Sequence, residues 1–118
     1  MKIFEVGDGV SANVSGRFVD HLNAAIGSSR MTTLTSTLRD NASGQVIGGR
    51  ENLSVLNANG GTLDVSGNFS MDLAPEENDL IDVDIVGAEL HILSLSWTYD
   101  GGAKKGGKIV GIAVKKDE

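Results

Sequence analysis

The chain holds 118 residues with a formal charge of −6, 40% hydrophobic content and only 4% aromatics. A length of this order gives one domain that buries roughly 65% of its unfolded surface in a single aliphatic core. The absence of cysteine excludes disulfides, thiolate metal sites and a cysteine nucleophile. Net acidity argues against generic nucleic-acid binding, which depends on neutralising phosphates.

Residues 2–6 alternate and read as a short strand ended by Gly7-Asp8-Gly9. The next segment carries the one helical pattern. Ser15 can cap it, Phe18, Val19, Leu22, Ala25 and Ile26 make a single apolar stripe, and Gly27 stands where a helix terminator belongs. A helix of about 12 residues is too short to stand alone and would pack on a sheet. From Arg30 the period changes to two. Residues 31–39 are Thr-rich with Leu34 and Leu38 on one face, and residues 40–44 turn the chain. Gln45-Val46-Ile47 starts a return strand, and Gly48-Gly49 marks a bend. A short strand at 53–56 leads to Asn59-Gly60-Gly61, a hairpin signal.

Leu63 and Val65, then Phe69, Met71 and Leu73, alternate as strands. Pro75 opens an acidic loop, and residues 80–86 read as a further strand. In residues 89–99, Leu93, Leu95, Trp97 and Tyr99 share one phase while Leu90 and Ile92 hold the other, which suggests a phase change or two-sided burial near Ile92. A last hairpin turns through 100–107 and returns along 109–114, with a solvated tail at 115–118. The resulting expectation is an α+β fold, mostly β. One N-terminal helix packs on a curved antiparallel sheet or flattened barrel of six to eight strands, in a single domain spanning 1–118.

Charge is unevenly divided. Residues 51–100 contain ten acids and no Lys or Arg, while the rest of the chain holds six acids and ten bases, giving −10 and +4. A one-sign field of this kind steers encounters with partners. Lys104, Lys105 and Lys108 form the strongest basic cluster, directly after the acidic half. The stretch from Gly102 to Lys108 resembles part of a phosphate-binding loop, but Ile109 stands where the Mg²⁺-binding hydroxyl belongs and no helix follows. A basic hairpin loop accounts for it better, and such a loop could meet an acidic face on a neighbouring copy.

Glu76, Glu77, Asp79, Asp82 and Asp84 are acidic enough to suggest Ca²⁺, yet their spacing is not that of an EF-hand loop. On an extended strand Asp82 and Asp84 would sit about 7 Å apart, too far to share one ion. Solvent-facing charge that protects an edge is the plainer reading. His21 and His91 are the only histidines, and no serine lies in a nucleophile-elbow pattern, so catalysis is not expected. Trp97 and Tyr99 share a strand face, as core packing or as a small-ligand platform. Four Asn-x-Ser sequences, at Asn13, Asn41, Asn52 and Asn68, are treated as incidental to a Ser-rich composition.

The start of the sequence lacks the apolar run of a signal peptide, and no stretch approaches the ~20 apolar residues of a membrane helix. A cytoplasmic or virion setting is therefore expected. The leading expectation is a non-enzymatic, β-rich structural protein of virion or surface type that forms a homo-oligomer without a cofactor or metal. Its partner would be itself or another protein, with no membrane. The alternatives are a soluble module with an apolar pocket for a small ligand between helix and sheet, closed by Trp97, and an acidic inhibitor that imitates nucleic acid.

Overall fold

The computed structural model describes residues 2–82 and 84–116, with the Lys2 side chain left out of the description. Eight strands follow in order: β1 (Lys2–Gly7), β2 (Ala12–Arg17), β3 (Met31–Asp40), β4 (Leu53–Ser54), β5 (Gly61–Leu63), β6 (Asn68–Leu73), β7 (Ala88–Tyr99) and β8 (Lys104–Lys115). Among the described residues a single 3₁₀ turn spans Pro75–Asn78. The strands form a five-stranded sheet, β1-β8-β7-β3-β4, and a three-stranded sheet, β2-β6-β5. All pairings are antiparallel except β1 with β8.

The expected helix does not form, and the α+β assignment is corrected to two open β-sheets without closure into a barrel. The expected cap Ser15 and the two residues after it lie instead in β2, which pairs with β6 from Ala12↔Leu73 to Arg17↔Asn68. Beyond them, Phe18 N–H donates to the Gly67 carbonyl and Ile26 N–H to the Phe18 carbonyl. The Asp20 carboxylate accepts N–H from Leu22 and Ala24, holding the segment as a loop. Only part of the apolar stripe is used: Phe18 and Ile26 are buried, whereas Leu22 is 75% exposed. Gly27 serves close approach and not helix termination, because a Cβ there would lie 2.1 Å from the Val65 carbonyl oxygen.

The core is one continuous cluster between the sheets. Leu34, Leu38, Leu93, Leu95, Val110, Ile112 and Val114 face Val14, Leu63, Phe69, Met71 and Leu73. In β3 a bulge between Met31 and Thr33 resets the alternation, so that Met31 and Leu34 both point inward. Of the two readings of β7, the phase change is absent, and the strand is covered on both faces near Ile92. Glu89, His91, Leu93, Leu95 and Tyr99 are all buried in a single phase, with Leu90 and Ile92 half-buried on the other face.

Two further expectations are corrected. Asn59-Gly60-Gly61 does not close a hairpin between β4 and β5; these strands lie in different sheets, and β5 pairs with β6. The turn carries Asn57, Asn59 and Gly60 at positive φ and brings Gly61 against Val55, where a Cβ would meet the carbonyl oxygen at 2.2 Å. The described residues of 80–86 are irregular and not a strand, with Asp84 N–H donating to Asp82 Oδ1; Val83 lies outside the described residues. Of the tail, Lys115 and Lys116 are exposed, and 117–118 lie outside the described residues.

Candidate functional site

β8 is twelve residues long, but β1 pairs with only half of it, from Lys2↔Val110 to Gly7↔Lys115. Along 104–108, β7 covers one side, from Tyr99↔Lys104 to Leu95↔Lys108. Among the described residues no strand covers the other. Unpaired strand edges present rows of N–H and C=O groups that favour pairing with another chain.

Beside this edge the two sheets part to leave a cavity of about 350 Å³. Phe4, Val14, Phe18, Phe69, Leu95 and Trp97 form its apolar lining, and Arg17 and Lys108 add charge. Three aromatic rings run across it from one sheet to the other. Phe18 lies 5.3 Å from Phe69 and meets Trp97 edge-on at 4.6 Å. Trp97 sits over Gly106, its partner in β8, where a Cβ would approach the indole to 2.5 Å. The alternative of a pocket under a helix is thus replaced by a groove between sheets, lined by four aromatic residues together with Val14, Val19, Leu95 and Val110.

Of the basic cluster, Lys108 is in the lining of this groove and Lys104 and Lys105 are not. Lys104 is half-exposed and 3.6 Å from Asp100, while Lys105 and Lys108 are exposed and have no ion-pair partner among the described residues. Tyr99 is buried, with the Arg30 guanidinium over its ring at 5.6 Å. Arg30 also grips Asp100 through two hydrogen bonds of 2.9 Å and reaches Asp20 at 3.1 Å. These contacts hold the Asp100 carboxyl below its ordinary range, Arg30 donating the strongest bond. The Asp20 carboxyl is lowered too, first by the Ala24 N–H and then, against the cost of burial, by Arg30.

The acidic loop is less uniform than its composition suggests. Glu76, Asp79, Asp82 and Asp84 are exposed and do not converge on a common point for an ion. Glu77 is instead buried, which corrects its reading as solvent-facing charge. It binds Arg50 in a two-bond fork of 2.6 and 3.0 Å and accepts the Ala74 N–H; Arg50 reaches on to Ser36 at 3.1 Å. Glu51, Glu89 and Asp100 are likewise tied, to Arg39, His91 and Arg30. Four of the ten acids of that half are therefore internally paired.

A second buried polar cluster was not anticipated. Asp40 and His91 are cross-strand partners on β3 and β7, and Glu89 lies two residues before His91 on the same inward face. All three are buried, and one ligand-type atom from each lies within 4.8 Å of the others. Glu89 Oε1 and Oε2 accept the N–H groups of Ile81 and Asp82 at 2.8 Å, and Oε1 meets His91 Nε2 at 2.5 Å. Burial pushes the Glu89 carboxyl up, but these bonds outweigh it and leave the group below its ordinary range. Asp40 Oδ2 accepts from the N–H and hydroxyl of Ser43 at 3.1 and 2.6 Å. The signal for this cluster was present in the sequence. His91 and Glu89 share the phase of Leu93 and Leu95, and that phase points inward.

The chain is thus an open two-sheet β-protein with an unpaired basic edge beside an aromatic groove. No family model matches it, and no curated protein or solved structure shows significant similarity.

Proposed function

We propose that this protein is a non-enzymatic structural subunit, of virion or surface type, that associates head to tail with copies of itself. The observation that carries the reading is the uncovered 104–108 edge of β8 next to an aromatic groove with Arg17 and Lys108 in its lining. The acidic loop at 75–86 offers the complementary surface. It presents Glu76, Asp79, Asp82 and Asp84 together with exposed Ile81 and Val86, the latter 94% exposed. Unlike patches on one chain make a heterologous contact, which propagates as a ring or a filament. Charge supplies orientation and encounter rate, and the groove supplies apolar area for the loop's aliphatic side chains.

Light scattering on a sizing column tests this at low and high salt. Assemblies at tens of micromolar that shrink as salt rises, and a monomeric Lys104→Glu, Lys105→Glu, Lys108→Glu triple variant, are the expected results. A monomer at both salt concentrations overturns it.

One observation favours a second reading. The only tryptophan lines the groove close to Arg17 and Lys108, an arrangement suited to a small amphipathic ligand with an acidic end. Such a ligand would shift Trp97 emission in the monomer, with loss of the shift in Lys108→Glu. The nucleic-acid-mimic reading draws less support, since four of the acids it would need are occupied within the chain.

A further inference from the structure

The cluster at Asp40, Glu89 and His91 takes no part in the proposed self-association, and its polar atoms are incompletely used. His91 is 0% exposed and its Nδ1 has no hydrogen-bond partner; Asp40 is 4% exposed and its Oδ1 has none. A buried polar atom without a partner is costly, and two at one cross-strand pair call for an explanation. Charge sharpens the point. Two carboxylates are buried together, and among the described residues neither has a Lys or Arg ion-pair partner. Even a protonated imidazole would neutralise only one of them. By contrast, the buried Glu77 elsewhere in the same core has its own arginine.

We propose that Asp40, Glu89 and His91 together bind a divalent first-row transition ion such as Zn²⁺. The donor set decides the class, because one imidazole with two carboxylates suits zinc and its neighbours, whereas Ca²⁺ and Mg²⁺ prefer all-oxygen shells. Asp40 Oδ1 supplies an open lone pair, the ion takes the place of the proton between Glu89 Oε1 and His91 Nε2, and a dication balances the two carboxylates. The Ile81 and Asp82 N–H groups hold Glu89 in place, and Ser43 does the same for Asp40, in the manner of outer-shell partners that orient metal ligands. The ion would tie the start of β7 to the end of β3 and to the loop at 81–82. Its role is to stabilise the fold.

The full chain, stripped with a chelator, is titrated with Co²⁺ and Zn²⁺ alone, with Mg²⁺ and Ca²⁺ as controls. Visible cobalt d–d bands and a melting temperature raised by Zn²⁺ and Co²⁺ only are expected. With only two histidines in the chain, ¹⁵N spectra of labelled wild type read the site directly: Zn²⁺ should move the ring nitrogens of His91 and leave those of His21 in place. Asp40→Asn, close in shape, should weaken cobalt binding at least about 100-fold, more than the loss of an outer-shell partner costs. His21→Gln should leave binding unchanged. Wild type without cobalt bands or a Zn²⁺-induced His91 shift overturns the proposal, as does binding that follows His21.

Discussion

At the scale of single residues, the interior is organised by polar groups that bind one another. The Arg50–Glu77 fork and Ser36 are buried together, with Arg50 also against Met71. Removing one member leaves a buried charge alone, so Arg50→Met should cost about 3–5 kcal/mol in urea unfolding, while Arg50→Met with Glu77→Leu recovers much of it. The surface cluster at Arg30 has a different signature. Asp20 and Asp100 both titrate below the ordinary Asp value of about 3.9. A group whose folded pKa is depressed stabilises the fold above its unfolded value and loses that contribution as pH falls through the folded one. Urea midpoints measured from about pH 5 to about pH 2 should therefore fall less steeply in Asp100→Asn than in wild type.

At the scale of elements, loop 18–30 shows why helical spacing misled. Apolar residues at 18, 19, 22, 25 and 26 fit a stripe, but the same residues serve a strand end and a loop that lays Phe18 and Ile26 into the core. Backbone pairing of β2 with β6 and close packing of Gly27 on Val65 outweigh a helix that could not have stood alone. Glycine substitutions separate the two pictures. Gly16→Ala meets nothing within 4 Å and should be neutral or stabilise by up to about 1 kcal/mol. Gly27→Ala must displace backbone and should cost roughly 1–3 kcal/mol or more in the same unfolding assay. β3 and β7 formed close to the expected places, whereas β8 begins at Lys104, within the residues expected to turn.

At the scale of the whole molecule, the Phe69–Phe18–Trp97 chain joins the two sheets at their open side. Phe18→Ala should cost about 3–5 kcal/mol and shift Trp97 emission to the red, because the groove would admit water. Lys104–Lys108 belong to β8 and not to the loop expected there, whereas the long strands and the turn at 100–103 were legible because they follow from local alternation and glycine. So was the inward phase of His91, although the use made of that position was not. Which strands pair, how the sheets divide and which acids are consumed inside depend on contacts between residues far apart in the chain. Arg50 and Glu77 are separated by 27 positions, and Asp40 and His91 by 51, so no local pattern announces either pair. Periodicity along a chain reports which side chains share a face. Only the folded arrangement brings two faces together, because burial and charge pairing are properties of the whole packed core.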